Sequence, residues 1–213
     1  VLGLAIRRRR FNQRRVREEC SCTDQKLNIA GYEASMKAVA ASNAEPVWEG
    51  LGTTKGYEFG GVLCCNGETG EVKYTDPPIR GIIRVDRVRS ETGELVPQIK
   101  TTQPMDQVPD CSTFGDEFNL AGWFHSHPKN AGRGFSNDDG IWAGSMREDG
   151  GKGWPLFMGS SDTMKVMRLD PYSYDAEILD GSRSMGVMLD VPDTRYFIIG
   201  KDGSSEPTQN PGE

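Results

Sequence analysis

All the histidine in this chain is spent in one place. His125 and His127, the only two histidines among 213 residues, stand one residue apart in Gly122-Trp123-Phe124-His125-Ser126-His127-Pro128. Alternate residues of a β-strand project to the same face, so an extended backbone from Leu120 to His127 aims both imidazoles one way and lets them converge on one ion. No other segment constrains the fold as tightly, because the stretch has to be extended and its histidine end has to meet a further ligand. A carboxylate follows a Gly-rich loop in Gly134-Phe135-Ser136-Asn137-Asp138-Asp139. Two His and one Asp leave a tetrahedral zinc ion with an open fourth position, the arrangement of a catalytic rather than a structural site. Asp138 competes with Asp139 for the ligand role, and a pair of surface imidazoles without a metal is the plainer alternative.

A hydrolytic zinc site needs a base for the proton of the metal-bound water. Glu58 is the candidate, at the start of the apolar run Tyr57-Glu58-Phe59-Gly60-Gly61-Val62-Leu63. A carboxylate opening a buried strand is costly without a partner, although a salt-bridged strand-end glutamate satisfies the same pattern. Ser136 and Asp139 have the spacing of a helix capping box. That reading is compatible with a site role: a helix starting at Ser136 carries Asp139 in its first turn, and the Ser136 hydroxyl can donate to a developing oxyanion.

Along the chain, Leu27, Ile29, Ala30, Met36, Val39 and Ala40 predict an amphipathic helix from Asp24 to about Asn43, stopped by Pro46. Tyr57 to Cys65 reads as a buried strand turning at Asn66-Gly67, with Glu71 to Thr75 as its hairpin partner. Gly81 to Val85 is a further strand. Arg87 to Phe118, rich in Pro, Thr, Asp and Gln, reads as a surface excursion or poorly ordered insertion and a candidate substrate-facing loop. Ser136 to Met146 reads as helix, and Trp154 to Gly159 with Met164 to Leu169 as a second hairpin. Ala176 to Leu179, Gly186 to Val191 and Tyr196 to Ile199 read as short strands. The Gly, Ser, Pro and Glu rich tail from Lys201 is expected to fray.

The net charge of −6 conceals an asymmetry, because Arg7, Arg8, Arg9, Arg10, Arg14, Arg15 and Arg17 precede every acidic residue. Taking those seven from the 25 basic residues leaves 18 against 31 acidic ones, so a basic arm leads a body of about −13. The arm reads as a solvated linker or a segment lying on the acidic body, with nucleic acid or an anionic surface as the alternative. Five cysteines without C-x-x-C spacing indicate neither a disulfide framework nor a thiolate zinc ribbon, and read as buried or free thiols in a reducing compartment. No apolar run reaches membrane-spanning length. Leu2 to Ile6 is too short for a signal-peptide core and its charges follow it. Val1 in the place of Met reads as a processed product or an excised fragment. The chain is expected to be cytoplasmic or delivered by a secretion system.

Glu58, His125-Ser126-His127-Pro128 and Ser136-x-x-Asp139 together resemble the signature of the JAMM or MPN+ metalloproteases. Gly122 to Pro128 is especially similar to the stretch in the isopeptidase members. The resemblance covers roughly residues 55 to 169. It implies that His125, His127 and Asp139 ligate zinc, that Glu58 activates water and that Ser136 supports the tetrahedral intermediate. It also implies a single-domain α/β fold, a JAMM-like, cytidine-deaminase-like mixed sheet flanked by helices, and cleavage of a peptide or isopeptide bond in a protein or peptide substrate. Residues 128 to 135, between His127 and Ser136, make a loop one residue longer than is common in the family. Tyr74-Thr75-Asp76-Pro77, Gly81, Phe157-Met158-Gly159-Ser160-Ser161 and Asp170-Pro171 resemble the bacterial branch at the C-terminal ends of Rhs-type polymorphic toxins, which implies an effector, with an immunity or carrier protein as partner.

The expected organisation is a basic arm over residues 1–24, a metalloprotease domain over 25–200 and a flexible tail over 201–213. The expected function is a zinc metallopeptidase or isopeptidase, with a non-catalytic interaction module of the same fold, or nucleic-acid binding through the arm, as alternatives.

Overall fold

The computed structural model describes residues 22–102, 110–136, 139–140, 154–170 and 195–211. In chain order the elements are helix α1 (Asp24–Ala44) and strands β1 (Trp48–Gly50), β2 (Thr53–Lys55), β3 (Phe59–Asn66), β4 (Val72–Tyr74), β5 (Ile79–Arg80), β6 (Ile82–Arg89), β7 (Leu95–Thr102), β8 (Phe118–His127), β9 (Leu156–Ser160), β10 (Val166–Asp170), β11 (Arg195–Ile199) and β12 (Ser205–Thr208). A 3-10 turn, Cys111–Phe114, precedes β8. Eight strands form one sheet in the order β12-β11-β10-β9-β8-β3-β4, with β5 also on β3. The pair β8 and β9 is parallel and its other pairings are antiparallel. This is a mixed α/β domain whose core is mostly sheet.

Helix α1 starts where Thr23 accepts a bond from the Lys26 N–H and runs to Ala44, close to the expected span. It packs on one sheet face through small residues. A Cβ on Gly31 would sit 2.5 Å from the Phe157 ring, and one on Gly159 would sit 2.7 Å from Val39 Cγ2. Its own Ala34 and Ala38 are buried against Phe59, Leu63, Phe124 and Phe157 of the sheet, and burying a side chain as large as Phe157 stabilises by about 1.5–3 kcal/mol. Buried Arg168 on β10 ties the two layers: it donates to Asn28 Oδ1 on α1 at 2.7 Å and to Asp170 at 2.6 and 3.1 Å.

The opposite face buries Val62, Trp123, Phe135, Met158, Met167 and Leu169. Among the described residues a helix covers only one face of the sheet, so the expectation of flanking helices is met on one side alone. The 3-10 turn and the segment around Phe135 pack on the other.

Several expectations need correcting. Cys22 is bonded to Cys65 and Cys64 to Cys111, so the free-thiol reading fails for these four; Cys20 lies outside the described residues. Cys64 and Cys65 are neighbours on β3 and point to opposite faces, which lets each reach a different partner. Two disulfides do not suit a reducing compartment. The excursion over 87–118 contains an antiparallel ribbon, β6 with β7, closed by a turn in which Gly93 takes φ 85°. Pro97 sits in it opposite Arg87, tolerable in a two-stranded ribbon where one edge needs no donor. The tail is an edge strand, β12 on β11, so the boundary expected at residue 200 falls inside the sheet. The β1-β2 hairpin was not foreseen. The strands expected at 176–179 and 186–191, the Arg-rich arm and most of the helix expected from Ser136 lie outside the described residues. No helix among the described residues is long and apolar enough to cross a membrane.

Candidate metal centre

Strand β8 lies between β3 and β9, so the histidines occupy the middle of the sheet. Phe124 faces α1 and Trp123 faces away, and alternation therefore turns His125 and His127 away from the helix. On β3, Gly60 pairs with His125. Continuing that antiparallel register by two residues sets Glu58 beside His127, on the same face. The site also lies at the carboxyl ends of the parallel pair, where His127 aligns with Ser160. The ends of parallel strands leave a crevice in which open α/β sheets bind ligands.

The loop after Pro128 returns the carboxylate. At Ser136 a helical turn begins, its C=O accepting from Gly140 N at 3.2 Å. Ser136 and Asp139 bond reciprocally: Asp139 N donates to Ser136 Oγ at 3.2 Å, and Ser136 N and Oγ donate to Asp139 Oδ2 at 2.7 and 2.8 Å. This is a capping box with Asp in the place of Glu. It locks the Asp139 carboxylate, whose Oδ1 lies 3.1 Å from His125 Nε2 and whose Oδ2 lies 3.2 Å from His127 Nε2.

Ligand atoms from His125, His127 and Asp139 lie within 4.8 Å of one another, so the three side chains can bind a metal ion. The fit can be tested on the distances. Bonds of about 2.0–2.1 Å in a tetrahedron separate ligand atoms by about 3.3 Å; each imidazole comes that close to the carboxylate, at 3.1 and 3.2 Å, but to a different oxygen of it, and with one atom from each residue the set lies within 4.8 Å, so closing on an ion takes a small side-chain adjustment. His125 Nε2 is buried without a hydrogen-bond partner, although Asp139 Oδ1 lies 3.1 Å away. A buried nitrogen aimed beside a carboxylate without bonding it is costly in itself, and a cation between the two satisfies both. Of the two candidate aspartates, Asp139 is the one in this cluster; Asp138 lies outside the described residues.

Electrostatics separate the two carboxylates. Burial pushes Asp139 up, but the adjacent imidazoles of His125 and His127 outweigh it and hold Asp139 well below the usual carboxylate range. Burial pushes Glu58 up to about 7, against the lowering pull of His125, His127 and Lys55. One carboxylate is thus poised to stay charged and ligate, the other to exchange a proton near neutral pH.

Two supporting residues escaped the sequence. Phe135 is fully buried with its ring centroid 6.3 Å from that of His125. Asn210 holds Phe135 in place, accepting from its N–H and donating to its C=O, both at 2.9 Å. The contact joins residues 75 positions apart, and no local pattern marks it. Ser136 stands at the site with its hydroxyl engaged on Asp139.

No protein-family model and no curated protein matches this chain.

Proposed function

We propose that the chain is a zinc-dependent hydrolase with a JAMM-like fold that cleaves an amide bond in a protein or peptide substrate, as a metallopeptidase or isopeptidase. The observation that carries it is the convergence of His125, His127 and Asp139 on the sheet face that also bears Glu58, a carboxyl pushed up to about 7. His125, His127 and Asp139 would hold the zinc, and a donor set of two imidazoles and one carboxylate matches that of hydrolytic zinc sites. When bound, zinc supplies Lewis acidity toward the scissile carbonyl and a water of lowered pKa.

Glu58 accepts the proton of the attacking water and returns it to the leaving amine, a shuttle that needs a carboxyl titrating near the working pH. Ser136 orients Asp139 in the resting site; donating to the oxyanion requires its hydroxyl to leave Asp139. The two disulfides favour action in an oxidising compartment or after export, in keeping with an effector delivered by a secretion system.

The test pairs metal analysis with a single variant. Purified chain is expected to hold about one zinc, lost in His125→Ala or His127→Ala. Glu58→Gln is expected to keep the zinc and lose amide hydrolysis by at least about 10²-fold, the usual share of a general base. Zinc retained with wild-type cleavage in Glu58→Gln would remove the base, and no zinc with no cleavage would leave an interaction module.

A further inference from the structure

A groove of about 620 Å³ opens between the β1-β2 hairpin and the loop that follows His127, lined not by the metal-centre residues themselves but by segments that adjoin them in the chain. Its walls are direct continuations of the site: Lys55 and Gly56 lead into Glu58, and Pro128 to Ala131 follow His127. At its base the two walls touch, for a Cβ on Gly56 would lie 2.4 Å from Pro128 Cβ. The wall after His127 and the foot of the hairpin are held by hydrogen bonds. Asn130 takes a left-handed φ of 63° and its N–H donates to both oxygens of Asp162 at 3.2 Å. Ser42, itself a lining residue, donates from Oγ to Tyr57 C=O at 2.7 Å and fixes the chain just past Gly56. A groove with braced walls binds without first paying to order them.

Its charge is opposite to that of the body. Lys55 and Lys129 line it, and neither makes a salt bridge among the described residues. The one acidic lining residue, Glu45, is engaged by Arg80 at 3.0 Å. Outside the Arg-rich arm the chain carries 18 basic against 31 acidic residues, so two lysines without salt bridges among the described residues, flanking a candidate catalytic centre, stand against the general field.

We propose that this groove is a substrate subsite for a peptide segment carrying an acidic side chain close to the scissile amide, with Lys55 and Lys129 holding its carboxylate. The assignment rests on the hydrolase reading for its place in a reaction, but the binding itself does not. Pairing in solvent of this kind is worth little per contact, so the expected discrimination is about threefold per lysine and about tenfold for both.

Two measurements on the full, zinc-supplemented chain decide it. In the first, Glu58→Gln protein is titrated with a fluorescein-labelled peptide Gly-Asp-Glu-Asp-Gly-Gly and with its Gly-Asn-Gln-Asn-Gly-Gly counterpart, following anisotropy at low and at moderate salt. The acidic peptide is expected to bind about tenfold more tightly, the difference shrinking with salt and vanishing in Lys55→Gln/Lys129→Gln. Because Lys55 also acts on Glu58, Lys129→Gln alone carries a separate expectation of about a threefold loss. Equal binding of the two peptides, or a preference that survives the double variant, overturns the subsite. In the second, wild-type chain is offered a quenched-fluorescent peptide library, and cleaved members are expected to be enriched in Asp and Glu next to the cut. Cleavage without that enrichment overturns the subsite and leaves the hydrolase standing. Acidic-peptide binding without cleavage of any library member sinks the hydrolase and leaves the groove as an acidic-ligand site.

Discussion

Replacing Glu58 with Gln in the metal-free chain tests the electrostatics of the centre without any assumption about substrate. Folding raises the Glu58 carboxyl from its ordinary value of 4.5 to about 7, so the folded state binds more protons than the unfolded one across that window. Its contribution is therefore fully present below about pH 4.5 and is lost as pH rises through about 7. At about 1.36 kcal/mol per unit, integrating the two titrations from about pH 5 to about pH 8 gives a loss of about 2.5 kcal/mol. This is a ceiling, because Glu58 as a residue keeps some exposure while its carboxyl is enclosed and solvent screens part of the effect. Asp139 adds no slope in this range, its carboxyl being charged both folded and unfolded. Urea unfolding of chelator-treated wild type and Glu58→Gln at both pH values reads the difference directly. Wild type should lose between about 1 and 2.5 kcal/mol more than the variant on going to the higher pH, and saturating zinc should flatten the wild-type curve by favouring the carboxylate. Parallel pH curves for the two metal-free proteins would show that the carboxyl is not enclosed, and the assignment of Glu58 as a base tuned to neutrality would go with it.

Asn210→Ala removes both bonds to the Phe135 backbone, so unfolding should cost about 1–3 kcal/mol less, and zinc affinity, read by competition with a chromogenic chelator, should fall because Phe135 immediately precedes Ser136. Gly159→Ala places a methyl 2.7 Å from Val39 Cγ2 and 2.8 Å from the Ser35 carbonyl oxygen; overpacking of about 1–3 kcal/mol is expected as a lower melting temperature in calorimetry. Opening either disulfide frees a loop of 43 or 47 residues, each worth about 4 kcal/mol by chain entropy. Cys22→Ser and Cys111→Ser should each shift the urea midpoint accordingly, and reductant should shift the wild type but not the variant lacking both bonds.

The segments legible in advance are those whose own periodicity or chemistry is unambiguous. The face of α1, the apolar run of β3 with its Asn66-Gly67 turn, and the histidine strand β8 all appear close to where the pattern places them. The β6-β7 ribbon was less visible because Pro97 and its run of polar residues dilute a strand pattern that no core stabilises. The tail departs from expectation for a related reason: Ser205, Glu206 and Pro207 look like a free end, yet Glu206 and Pro207 pair with Ile198 and Phe197 at the sheet edge. Composition reports what a segment can bury, whereas an edge strand needs only backbone partners.

By itself the order of residues determined which side chains were available for a metal centre, since two histidines at alternate positions and a capped aspartate nearby permit few other uses. Only the tertiary structure decided that Glu58 lies on the same face as the histidines, that Cys64 and Cys65 reach opposite sides of one strand, and that Asn210 braces the loop behind Asp139. Each of those depends on which strands become neighbours and in what register, and register is a property of the assembled sheet, where a shift of one residue moves a side chain to the other face.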